Sequence, residues 1–263
     1  MMNFFFLLIT FAFAILSVNA QSNTTDEGVV INGVKWATRN VDVPGTFAVN
    51  PESAGMFYQW NRRVGWSTTD PIVNSNRGTS WESSIPLGTT WERVNDPSPT
   101  GWRVPTIAEI RSLLDTDKVG TGFVTQNGVT GRKFTDLETY NSLFFPTAGY
   151  RVTSGDDGSL QVSNTAGYYW SSTQYNSSRA FNLQFGTLGA LPNDYYERTY
   201  GFLVRAVSES SLNNITNIGV SEEKTIVAYY SILGVQLQKE PESGMYIILY
   251  DNGTTEKAIR KIW

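Results

Sequence analysis

The chain contains no cysteine and no histidine in its 263 residues. Whatever fold it adopts is held without a disulfide and without the thiolate or imidazole ligands that build structural metal sites. The same two zeros remove serine–histidine and cysteine–histidine catalysis, and with them the commonest general base. What remains is carboxylate, lysine, tyrosine or serine–lysine chemistry, oxygen-ligated Ca²⁺, or no chemistry. Glycoside hydrolysis needs a carboxylate pair, and no spacing singles out two of the 24 acidic residues. No catalytic residue and no cofactor are therefore expected.

The N-terminus limits location. Phe4 to Leu16 is an apolar run of 13 residues broken only by Thr10. A spanning helix needs about 20. Val18 and Ala20 supply the small residues of a signal-peptidase site. Residues 1–20 read as a cleaved secretory signal, although no Lys or Arg precedes the run. The expectation is a secreted or outer-surface chain with no membrane span after cleavage. A net charge of −4 leaves no electrostatic footprint for nucleic acid.

Residues 21–28 are polar and read as a loose leader. Beyond them, Val29–Ile31, Asn32-Gly33 and Val34–Trp36 carry a hairpin signal, since Asn-Gly suits a turn between β-formers. Gly and Pro punctuate an aromatic, β-branched middle, which predicts many short strands and long loops. One helix stands out over 106–115. Thr106 and Glu109 form a capping box, and Ile107, Ile110, Leu113 and Leu114 share a face that should pack on a sheet. The first domain is placed at 29–208, a linker at 209–222 and a small all-β tail at 223–263. The tail's strand-like runs begin near Ile226, Val235, Tyr246 and Lys257.

Two family resemblances follow from motifs in order. The block Ile31-Asn32-Gly33-Val34-Lys35-Trp36-Ala37-Thr38-Arg39-Asn40-Val41 is followed by Asn95-Asp96-Pro97-Ser98-Pro99-Thr100-Gly101-Trp102-Arg103-Val104-Pro105-Thr106. Then come Leu143–Arg151, Tyr168–Thr173 and Gly201–Val207. Together they resemble the "major paralogous domain" family described from Fibrobacter succinogenes and abundant in Bacteroidetes. That family is related to C-type-lectin-like and formylglycine-generating-enzyme folds, so the resemblance implies an α+β domain with an irregular antiparallel sheet. The family's activity is unassigned. Its central block usually reads Asp-Pro-Cys-Pro and its last strand usually ends Val-Arg-Cys. Here Ser98 and Ala206 stand at those places, which implies the loss of one disulfide. The cysteines that catalysis in the formylglycine-generating enzymes requires are absent as well, so no activity transfers with the fold. The tail resembles sorting domains of type IX secretion, on Tyr230–Val235, Ser243–Ile248 and the basic Lys257, Arg260 and Lys261. It implies contact with the secretion machinery and expects a β-sandwich. If it is not a working signal, the protein stays periplasmic.

Candidate binding residues cluster in one insert. Trp66, Trp81 and Trp91 lie in a Gly/Ser/Thr/Pro-rich stretch, with Asn61, Arg62, Arg63, Asn74 and Arg77 nearby. Aromatic faces beside amides and guanidinium groups suit sugars. At least one of the three rings is expected to be exposed beside a groove containing Arg62, Arg63 or Arg77. Trp36, Trp102 and Trp170 sit in the family motifs and are expected to be core. The segment Pro192 to Glu197 offers oxygens but lacks the Glu-Pro-Asn and Trp-Asn-Asp sets of calcium-dependent lectins. Asp156 and Asp157, between two glycines, read as a solvated turn. The expectation is a non-catalytic, glycan-binding surface module. The alternatives are an adhesive protein that binds surface proteins and a carboxylate-dependent glycan hydrolase.

Overall fold

A computed structural model describes residues 24–153, 157–161, 164–209, 226–232, 234–250 and 255–260. The expected signal peptide and nearly all of the expected linker lie outside them. The chain divides into two compact units, residues 1–211 and 212–263.

The described residues of the first unit form four antiparallel sheets. Val29–Ile31 and Val34–Trp36 form a hairpin, and Val207–Ser208 and Trp102–Arg103 complete its sheet. The turn has Asn32 at φ +45° and Gly33 at φ +77°, the two left-handed positions that make Asn-Gly favourable there. A second sheet runs Ser159–Gln161, Tyr150–Val152, Gly201–Phe202, Phe57–Gln59 and Gly65–Trp66. A third joins Ala166–Gln174, Arg179–Gly186 and Gly189–Glu197. A fourth joins Val119–Gln126, Val129–Asp136 and Ser142–Pro146.

The α+β class expected from the resemblance is overturned. Among the described residues the sole α-helix is Ile107–Ser112, in an otherwise β framework. The capping box is present. Thr106 accepts from the Glu109 amide, and the Glu109 carboxylate accepts from the Thr106 amide and hydroxyl. A bidentate Arg103 pair holds the same carboxylate, keeping its pKa low against the opposing effect of burial. The helix packs on the Ala166–Gln174 and Arg179–Gly186 strands. It fills a gap in a β structure and forms no layer of its own.

The second unit is a single antiparallel sheet in the order Gln236–Leu237, Ile226–Ser231, Gly244–Tyr250, Thr255–Arg260. Among the described residues this unit holds one sheet, where a sandwich was expected. The leader also departs from expectation at its described end. The Asp26 carboxylate accepts from the amides of Gly28 and Thr38 and from Arg39 Nε at 3.1 Å, and its side chain is 1% exposed. Residues 26–39 are thereby closed into a loop.

Two adjoining hydrophobic clusters fill the first unit. Trp36, Trp102 and Trp170 belong to them, at 1%, 7% and 0% exposure. The expectation for the insert fails, because Trp66, Trp81 and Trp91 are buried too, at 2%, 8% and 6%. The reason lies in specific contacts. Trp66 and Trp81 pack with centroids 4.8 Å apart. Trp81 also donates to Thr153 Oγ1 and lies against Gly158, where an added Cβ would come within 2.5 Å of the ring. Trp91 packs on Trp60 and donates to the Asn95 carbonyl at 2.9 Å.

Three arginines, Arg151, Arg198 and Arg205, are each 1% exposed. Each spends its donors mainly on backbone carbonyls of distant loops. Arg151 reaches the carbonyls of Ser67, Thr69 and Gly158, plus Asp70. Arg198 reaches those of Pro86, Gly88 and Asn176, and lies 4.1 Å over the Trp60 ring. Arg205 reaches those of Ala37 and Thr38, plus Asn40 Oδ1, and lies over Phe145. Burial pulls the Arg205 guanidinium down to about 10, which leaves it protonated at neutral pH.

Two expected outcomes follow. Trp81→Ala and Trp91→Ala should each lower stability by about 3–5 kcal/mol, as for any large core truncation. Thermal melts check this, and an unchanged midpoint would contradict the burial. Ser98 and Ala206 are both buried, and Ser98 Oγ has no hydrogen-bond partner. If these positions pair as the family resemblance implies, replacing both by cysteine should add about 2–4 kcal/mol under oxidising conditions and nothing after reduction. Failure of the pair to oxidise in the folded protein would remove the lost cross-link.

Candidate functional site

The insert's polar residues converge on a cavity of about 890 Å³. Its walls come from the Phe57–Gln59 strand, the turn that follows, the Gly65–Trp66 strand and the loops up to Asn95. Asn61 organises the turn. It sits at φ +53°, a left-handed conformation that Asn tolerates better than most residues. From there its Nδ2 donates to the Leu87 carbonyl at 2.8 Å, and its Oδ1 accepts from the Glu92 amide and Asn95 Nδ2. One side chain thus ties three wall segments together.

The other polar walls are partly committed. Gln59 donates to the carbonyls of Glu82 and Thr199, leaving Oε1 buried with no partner. Arg62 donates through Nη2 to the Ser84 carbonyl and hydroxyl and lies 3.7 Å from Glu82. Its Nε is buried without a partner, and so is Trp66 Nε1. Arg63 donates to the Asp96 carbonyl. Burial pulls the Arg62 guanidinium down, with Glu82 opposing. The Ser84 amide and hydroxyl, with Arg62 adding less, hold Glu82 below the usual carboxylate range.

The chemistry of the walls is balanced. Arg62, Arg63, Glu82 and Glu92 line the cavity together, with amides, hydroxyls and the aliphatic Ile85 and Leu87 filling the rest. Donors and acceptors for a neutral polyhydroxylated ligand are both present. A glycosidase acid requires a raised carboxyl pKa, and Glu82 is shifted the other way. Its carboxylate is suited to accepting hydrogen bonds.

Of the residues expected to bind, Arg62, Arg63 and Trp66 line this cavity. Trp81 and Trp91 lie behind it in the core, and Arg77 is exposed on the Asn74–Gly78 turn outside the lining. Gln59, Glu82, Ser84, Glu92 and Asn95 complete the walls and were not singled out. Their only signal in the sequence is density of amides and acids within one stretch. At the Pro192 to Glu197 segment, Asp194 is half-buried and accepts from Asn182 Nδ2. Asp157 accepts from the Ser159 amide in an exposed turn, and Asp156 lies outside the described residues. Among the described residues no group of three or more acids could hold a metal, and no helix is long and apolar enough to cross a membrane.

A family model described as "Domain of unknown function (DUF8237)" matches residues 124–207, a stretch that excludes the cavity segment 59–95. No curated protein and no solved structure matches the chain.

Proposed function

We propose that the protein is a secreted, non-catalytic binding module that takes a glycan into the cavity of the 59–95 segment. The observation that carries this reading is three buried polar atoms, Gln59 Oε1, Arg62 Nε and Trp66 Nε1, without protein partners on residues lining one cavity. Leaving buried polar atoms unpaired costs roughly 1–3 kcal/mol each. A ligand that offers both hydroxyl donors and acceptors relieves that cost when the walls adjust around it. Two cationic and two anionic walls favour a neutral ligand over a strongly charged one. The exposed Ile85 and Leu87 give apolar surface for the C–H face of a sugar. With the tryptophan rings in the core, the reading rests on hydrogen bonding rather than stacking. Secretion is supported by the N-terminal apolar run with Val18 and Ala20.

A glycan array probed with the full chain, followed by Arg62→Met and Glu92→Gln, tests this. Retention of a glycan should fall about tenfold or more in each variant, equal to about 1.4 kcal/mol, with the melting midpoint within a degree or two. No retained glycan, or retention indifferent to both variants, overturns the reading in favour of a protein-adhesive module. Release of new reducing ends that Glu82→Gln abolishes would make the cavity hydrolytic instead.

A further inference from the structure

Away from the cavity, four tyrosines close into a ring. Tyr150 and Tyr168 have centroids 4.6 Å apart, Tyr168 and Tyr196 5.9 Å, Tyr196 and Tyr200 5.7 Å, and Tyr200 and Tyr150 6.1 Å. All four contact Phe202, which is fully buried, at 5.2–6.2 Å. Phe202 is the contact that the four tyrosines share. Tyr150, Tyr196 and Tyr200 keep part of their surface in solvent, while Tyr168 is 8% exposed.

The sheet register adds a carboxylate. Along Arg179–Gly186, Ala180, Asn182 and Gln184 point to one face. Their partners across the ladders are Tyr196, Asp194 and Tyr168 respectively. Asp194 is therefore delivered to the same face as two of the ring tyrosines. Asn182 Nδ2 donates to Asp194 Oδ2 at 3.3 Å. No Lys or Arg among the described residues forms an ion pair with Asp194. Burial pushes its carboxyl up, with no cation to offset it. Asn182 is fully buried, and its Oδ1 is an acceptor with no partner.

We infer that the ring of Tyr150, Tyr168, Tyr196 and Tyr200 over Phe202, with Asp194 at its edge, is a second binding site whose ligand is an organic ammonium group. The ring faces, the Asp194 carboxylate and the Asn182 amide oxygen are all electronegative. The ring faces carry the negative side of the aromatic quadrupole, the Asp194 carboxylate has donors but no cationic partner, and the Asn182 amide oxygen has no partner. The charge-balanced cavity of the 59–95 segment has no such bias, so this site takes a different ligand and does not depend on the glycan reading. An ammonium head with an apolar skirt gains from the rings and the carboxylate together, whereas its neutral carbon analogue gains only from ring contact.

The test titrates the full chain with choline, with methylammonium and with the neutral isostere 3,3-dimethylbutan-1-ol, following the tyrosine ring resonances by NMR. At least one ammonium should saturate and shift the ring signals, with the neutral isostere about tenfold weaker or more. The tighter of the two ammonium compounds separates a quaternary headgroup from a primary amine, and either order supports the site. Asp194→Asn should weaken the ammonium about tenfold and leave the neutral isostere unchanged. Equal binding of choline and its neutral isostere to the wild-type chain overturns the inference, and so does failure of both ammonium compounds to saturate. A folded Asp194→Asn variant with undiminished ammonium binding overturns it too.

Discussion

In Arg151, Arg198 and Arg205, guanidinium groups are withdrawn from water and turned onto backbone carbonyls of segments far away in sequence. A chain with long loops and no cysteine has to satisfy those carbonyls and fix those loops by some other means. A planar guanidinium does both, because five donors in one rigid fork can hold several strands of backbone at once. The arrangement also settles the charge. Each buried cation is surrounded by carbonyl dipoles, and Arg198 and Arg205 additionally sit over aromatic rings. Truncating such a group leaves several acceptors without donors, and the loops they belong to would have to reopen to water.

The two candidate sites depend on one of these ties. Arg198 holds Pro86 and Gly88, which flank Leu87 in the cavity wall. Its own carbonyl accepts from the Trp60 amide, and the next residue, Thr199, accepts from Gln59 and from Thr153. Tyr200 and Phe202 then enter the aromatic ring. A five-residue segment from Arg198 to Phe202 thus fixes the cavity wall on the way into it and the tyrosine ring on the way out. Any movement of that segment alters both sites together.

Some of this was legible in the sequence. The Asn32-Gly33 hairpin and the Thr106–Glu109 capping box depend on neighbours in the chain, and local rules read them correctly. The burial of Trp36, Trp102 and Trp170 was legible from the motifs that contain them. The α+β class came from the family resemblance and was wrong, whereas the punctuated aromatic and β-branched pattern pointed to short strands, and the one capped helix spans only six residues of a β structure. Trp66, Trp81 and Trp91 were misread because a Gly/Ser/Thr/Pro-rich insert resembles an exposed loop. Nothing local announces that Arg151 and Arg198 will fold that insert back over its own aromatics. Arg62, Arg63 and Trp66 were found by proximity. Gln59, Glu82 and Glu92 were not, since a cavity wall built from loops has no period. The tyrosine ring was invisible for the same reason, its members arriving from positions 150, 168, 196 and 200.

The central claim is that buried arginines do the work of cross-links, and Arg198 tests it most directly. Native-state hydrogen exchange can be followed segment by segment in the wild-type chain and in Arg198→Met, which keeps much of the side-chain volume and removes the donors. The account predicts a loss of about 3 kcal/mol or more in global stability, because the carbonyls of Pro86, Gly88 and Asn176 lose their donors at roughly 1–3 kcal/mol each. It also predicts faster exchange across residues 82–92, while residues 67–70, held by Arg151, exchange at a rate explained by the global loss alone. Unchanged exchange across 82–92 together with an unchanged unfolding free energy would contradict it.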